Sequence, residues 1–227
     1  MTIASSQWKG LYNIAGVSAM VMVIFIPVQM AVYILFPPPS TVIGWFELFQ
    51  KNKLIGLIDM DLLLIADQVL MCFIFLALYT ALRSVSPSYI TIALVLGLTG
   101  VAAYYASTVA FEMLSLSNQY TVAVNEGEKS ILLASGKVMM AAWQGTAFDT
   151  GYVLEGTALL MIAIIMLKSL LFTKTTAVTG IILGVMSLLP PTVGKLGMFF
   201  AIGSLIPLVI WNVLIAKRFF QLSRLEE

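Results

Sequence analysis

Two carboxylates sit where charge is expensive. Asp67 falls inside the apolar run 54–82, and Glu155 falls inside the apolar run 137–167. An ionised acid in hydrocarbon costs several kcal/mol unless it is paired, hydrated or turned to a cavity, so such residues are read first as functional. Asp67 is 16 residues from Arg83, or about 24 Å of helix, and Glu155 is 13 residues from Lys168, or about 20 Å. The two therefore reach similar depth on different helices. Facing each other, they would share a proton or hold a cation. An all-carboxylate site suits a hard cation better than zinc. Facing Gln68, Gln144 or Thr157 instead, they would be a polar lock within the packing. Gln144 and Glu155 are 11 residues apart and return to nearly one helix face, provided that Gly145 and Gly151 do not break the helix.

Other polar residues gather near the same boundary. Asp149, Tyr152, Glu112 and Trp143 complete the candidate wall of an acidic, outward-facing pocket. Lys195 is the nearest candidate counter-ion, although a lysine at a helix end can equally snorkel to headgroups. Asp59 and Asp61 diverge by about 200° on a helix, so one pocket cannot take both. At the start of a span they would meet the positive end of the helix dipole, and capping or solvation is expected there ahead of chemistry.

Several chemistries are excluded outright. The chain has no histidine, which removes imidazole metal sites, Ser-His triads and histidine proton relays. Its one cysteine, Cys72, cannot form an internal disulfide. Ser107 and Ser115 could serve a membrane hydrolase, but no G-x-S-x-G and no metal-ligand spacing accompanies them. With a net charge of +1 and no basic cluster beyond Lys217–Arg218, a nucleic-acid partner is not expected. No cofactor is expected either.

The elements that must position these residues follow from composition. Hydrophobic residues make up 60% of the chain and charged ones 10%, far below the usual share of about 25% in soluble domains. An all-α polytopic membrane protein is expected, as a single transmembrane domain over 1–227. Six spans are read at about 11–36, 54–82, 89–111, 149–167, 175–189 and 196–216, each bounded by charge, proline or a polar turn. The first is too long for a secretory signal core and meets Pro37, Pro38 and Pro39 in place of a cleavage site. Segments 41–53 and 115–148 are too short or too polar to cross. They read as interfacial pieces on the outer side, 115–136 being mostly loop with a short helix over SILLAS. Gly180 and Gly184 form a G-x-x-x-G spacing that could seat a helix, in this chain or in a homodimer. Lysine and arginine bias orientation modestly. Lys9, Arg83, Lys168, Lys174, Lys217, Arg218 and Arg224 fall on one side, and Lys51, Lys53, Lys129, Lys137 and Lys195 on the other. Both termini are expected in the cytoplasm.

The runs NKLIGLIDMD (52–61), LALY (76–79), 97–107, WQGTAF (143–148) and PPTVG (190–194) span most of the chain. In these it resembles an uncharacterised family of multi-pass bacterial and archaeal membrane proteins grouped as a domain of unknown function. That likeness implies a prokaryotic plasma-membrane protein of about six helices, and it implies no substrate and no catalytic residue. The expected partners are the bilayer and a small molecule, cation or lipid. The leading expectation is therefore a protein binding a small ligand, ion or lipid headgroup in an outward-facing acidic pocket. The alternative is a small cation- or proton-coupled transporter using Asp67 and Glu155. An enzyme is the weaker reading.

Overall fold

A computed structural model of the chain describes residues 6–60 and 62–224. Asp61 lies outside the described residues, and the expectation for it ends there. The regular structure is helical throughout, with no strand among the described residues. Among those residues ten α-helices follow in order: α1 (Lys9–Leu35), α2 (Val42–Lys51), α3 (Lys53–Met60), α4 (Leu62–Leu82), α5 (Pro87–Ser107), α6 (Ala110–Val122), α7 (Glu126–Trp143), α8 (Thr146–Met166), α9 (Lys174–Met186) and α10 (Gly194–Arg224).

Five described segments are long and apolar enough to cross a membrane: Lys9–Leu35, Leu62–Leu82, Pro87–Val122, Glu126–Met166 and Gly194–Arg224. Pro87–Val122 and Glu126–Met166 each divide into two helices, at 108–109 and at 144–145. At 1.5 Å per residue the 13 residues of α9 rise about 20 Å, short of a hydrocarbon core of about 30 Å.

The helices start and stop for local reasons. Three prolines after Phe36 cannot continue α1. The hydroxyl of Thr41 accepts from the Gly44 amide at the head of α2, and Thr173 does the same for Thr176 at the head of α9. Asn125 caps α7 by accepting from the Glu128 amide at 2.8 Å, while the Glu128 carboxylate takes the amide of Val124.

Helices α1, α4, α5, α8, α9 and α10 close a ring in which each packs on the next and α10 returns to α1. Tyr12 on α1 stacks on Phe219 of α10 with centroids 6.1 Å apart, so the first and last helices meet at one end of the ring. A contiguous apolar core fills it, from Ala15 and Ala19 through Ile74, Phe75 and Leu78 to Ile162 and Ile215. At the opposite end, α2, α3, α6 and α7 form a cap over a second core of Trp45, Phe46, Phe49, Met60 and Met113.

One expectation needs correction. Segment 115–136 is largely helical, because Asn125 and Glu128 start α7 where a loop was expected. Gly180 and Gly184 serve packing within the chain. An added Cβ would meet Trp211 Nε1 at 2.7 Å from Gly180, and the backbone nitrogen of Leu160 at 2.7 Å from Gly184. That G-x-x-x-G face is occupied by α8 and α10.

Candidate functional site

The α5–α8 seam positions the site. Gly100 on α5 and Gly151 on α8 bring the two backbones into contact. A Cβ on Gly151 would stand 2.9 Å from the Gly100 carbonyl oxygen, and one on Gly100 would stand 2.8 Å from Glu155 Cγ. Small residues permit this approach, which in lipid substitutes for the hydrophobic drive that water would supply. Glu155 is thereby pressed onto α5, with its side chain running towards α4.

On α4, Gln68 is buried with its side chain beside the Glu155 carboxyl. Its neighbour Asp67 lies close enough for the two carboxyls to act on each other electrostatically. Tyr152, one turn before Glu155 on α8, lies beside Ser204 of α10 and is also within electrostatic reach of Glu155. Tyr105 of α5 donates from its hydroxyl to the Ile65 carbonyl at 3.3 Å and joins α5 to α4 beside the acids. Four helices thus contribute polar groups to one place. Three of the oxygens there, Asp67 Oδ1, Gln68 Oε1 and Glu155 Oε1, are buried and accept no hydrogen bond from the described residues. Buried polar atoms are nearly always partnered, so three orphan acceptors together are a chemical signal. They call for a donor or a positive charge. Among the described residues no three metal-ligating side chains converge, here or elsewhere.

Above this cluster, towards the cap, aromatic rings form a short ladder. Tyr104 and Phe148 lie 5.3 Å apart between centroids, and Phe148 stacks on Tyr152 at 6.1 Å.

The remaining candidates lie elsewhere. Gln144 is exposed and caps the C-terminus of α7, because the helix breaks at Gly145, so the stripe joining it to Glu155 does not form. Gly151 does not interrupt α8. Trp143 packs edge-on against Trp45 at 5.7 Å, within the cap. Asp149 accepts from the Thr192 hydroxyl at the head of α8 and ties the loop before α10 to that helix. Glu112 and Lys195 are exposed, and neither joins the cluster. Asp59 is fully buried in the cap with both carboxylate oxygens unpartnered among the described residues, and burial pushes its carboxyl up to about 6. Nearby, Gln29 of α1 donates to the Ile58 carbonyl at 3.2 Å and pins α3 to the ring.

Ser204 and Tyr105 were not singled out from sequence. A signal existed for Ser204. It stands 13 residues before Lys217, the same distance that separates Glu155 from Lys168. Depth counting on α10 finds it.

Comparison with known proteins adds no assignment. The chain matches no family model, no curated protein and no solved structure.

Proposed function

We propose that this chain is a multi-pass membrane protein that binds a proton or a small cation between Asp67, Gln68 and Glu155. The observation that carries the reading is the group of three buried acceptor oxygens, on two helices, without a donor among them. A monovalent cation can take all three oxygens as ligands, and a proton on one carboxyl makes it a donor to a neighbouring acceptor. The proposed topology has six crossings, with α9 the short one, α2, α3, α6 and α7 at the outer interface, and both termini in the cytoplasm. The lysines and arginines near the chain ends support that orientation. The resemblance to multi-pass bacterial and archaeal proteins supports a prokaryotic plasma membrane.

A carrier is the second reading, favoured by one specific feature. The ligating groups come from α4 and α8, and α5 packs against both of these helices. A small rotation of α4 against the α5–α8 pair would make or break the site, which is what alternating access requires.

The test is thermal stability of the solubilised protein across pH and a panel of monovalent and divalent chlorides, for wild type, Asp67→Asn and Glu155→Gln. A ligand bound to the folded state raises stability by mass action. We expect a cation or a fall in pH to stabilise wild type and either neutral variant to lose that response. Identical responses in all three proteins would reduce the acids to a polar lock.

A further inference from the structure

At the end of the ring where α1 meets α10, a cavity of about 180 Å³ lies between the head of α9 and the last turns of α10. It is lined by Thr173, Thr176, Leu214, Lys217, Arg218 and Gln221. By the liquid volume of water, about 30 Å³ per molecule, it has room for about six waters or one tetrahedral oxyanion with part of its shell. The lining is cationic and rich in donors. Lys217 is exposed at the rim. Arg218 is half-buried, held by a hydrogen bond from its Nη1 to Gln221 Oε1 at 3.1 Å, and its buried Nε has no partner among the described residues. Thr176 is buried, and its hydroxyl lies 2.9 Å from that of Thr173.

Among the described residues no acid lies at this end; Glu226 and Glu227 fall outside them. Arg83, Lys168, Lys174 and Arg224 occupy the same end, and every described carboxylate lies in the cap, at the cap end of the ring or in the central cluster. Arginine's planar fork and a neighbouring lysine are the side chains suited to phosphate, and basic pockets between membrane helices take phospholipid headgroups. Lys217 sits where the apolar stretch of α10 gives way to charge, at headgroup level for a span of this length.

We propose that the α9–α10 cavity is a phosphate site, filled in the membrane by the headgroup of an anionic phospholipid. Lys217 and Arg218 bind the phosphate oxygens, and the threonine hydroxyls complete the cradle. The site would staple the short α9 to α10.

The test uses the full chain in detergent and reads melting temperature and retained lipid by native mass spectrometry. Mixed micelles with dioleoylphosphatidylglycerol are compared with dioleoylphosphatidylcholine, and sodium phosphate with sodium chloride at equal ionic strength. Wild type should be stabilised by phosphatidylglycerol, with an affinity at least about tenfold weaker in Lys217→Gln/Arg218→Gln. Lys168→Gln/Arg224→Gln, which removes the same charge from the same end outside the cavity, should respond as wild type. Lys217→Gln alone, at an exposed position, should weaken the response without affecting folding. Stabilisation by inorganic phosphate that is lost in the cavity variants would make the physiological source a soluble phosphate. Equal responses in the cavity and control variants, or none in wild type, would overturn the proposal.

Discussion

At Gly151 an added Cβ would stand 2.9 Å from the backbone oxygen of Gly100, whereas at Gly56 in the cap it would meet the ring of Phe49 at 2.6 Å. Gly136, also in the cap, faces Val42 and Phe46, and Gly184 in the ring faces the backbone of Leu160. Along the α5–α8–α9 seams, helix backbones touch, and large side chains are excluded from between them. In the cap, the glycines face side chains, and aromatic rings fill the space between the helices. On the proposed topology the distinction follows the solvent. Within lipid there is no hydrophobic gain from pressing apolar side chains together, so close backbone approach and polar contacts hold helices. At the membrane edge, where the proposed topology puts the cap, burying Trp45, Phe46 and Phe49 away from water is favourable at about 25 cal/mol per Å². One chain uses two kinds of cohesion, and the polar cluster belongs to the first.

The strongest way to break this comparison is Trp45→Ala. Trp45 is fully buried between Phe49 and Trp143, and large-to-small changes of this kind cost about 3–5 kcal/mol. The loss should fall on the cap. Hydrogen exchange should accelerate in α2, α6 and α7 and stay unchanged in α5 and α8. Uniform acceleration over both regions would show that the cap and the ring are one cooperative unit.

Gly151→Ala attacks the other region and should be next in size. The new methyl meets the Gly100 carbonyl and the Tyr104 amide, and neither is a flexible group that can move aside. Overpacking of this kind costs up to about 3 kcal/mol. Gly10→Ala, with nothing within 4 Å of the new atom, is the control and should be silent. Chemical denaturation of the two variants checks both. Because Glu155 rides on this seam, Gly151→Ala should also weaken any stabilisation by cation or low pH, which Trp45→Ala should leave intact.

How much of this was legible from sequence follows the same division. The long apolar runs announced the ring, because membrane spans are read from length and hydropathy alone. Counting residues from Arg83 and Lys168 put Asp67 and Glu155 at one depth, and in the structure Asp67 lies within electrostatic reach of Glu155. The cap was poorly legible. Its helices are short and mixed in polarity, and α7 starts at Asn125 and Glu128, whose three-residue spacing is the one local signal that a helix begins in the polar stretch. Gln144 failed for another reason: Gly145 was visible, and whether it would end the helix depended on the turn into α8.

Gln68→Leu sharpens the comparison at the site itself. It removes the polar amide beside Glu155 and leaves a buried carboxyl with less support, worth about 2 kcal/mol by the usual range for an unsatisfied buried group. Gln68→Glu should place a third acid beside Asp67 and Glu155 and increase the stabilisation that cations give wild type. Unchanged stability in Gln68→Leu, together with unchanged cation response in both variants, would separate Gln68 from the site.

The smallest expected effect belongs to the cap. Asp59 is buried without a partner among the described residues, and burial raises its carboxyl from 3.8 to about 6. A folded-state value above the unfolded one means that the folded protein binds the proton more tightly. The stabilisation from this group is therefore full below about pH 4 and is lost as pH rises through about 6. Between pH 5 and pH 7 the loss should be about 1 kcal/mol, since a tenfold change in proton affinity is worth about 1.4 kcal/mol. Asp59→Asn keeps the shape and removes the titration. Exchange rates of α2 and α3 amides in wild type, with the intrinsic pH dependence of exchange subtracted, should rise over that interval relative to those of the variant. The ring amides should show no difference between the two proteins. A difference confined to α4, α5 and α8 would mean that Asp59 is coupled to the central acids and that the cap reports on the polar cluster below it.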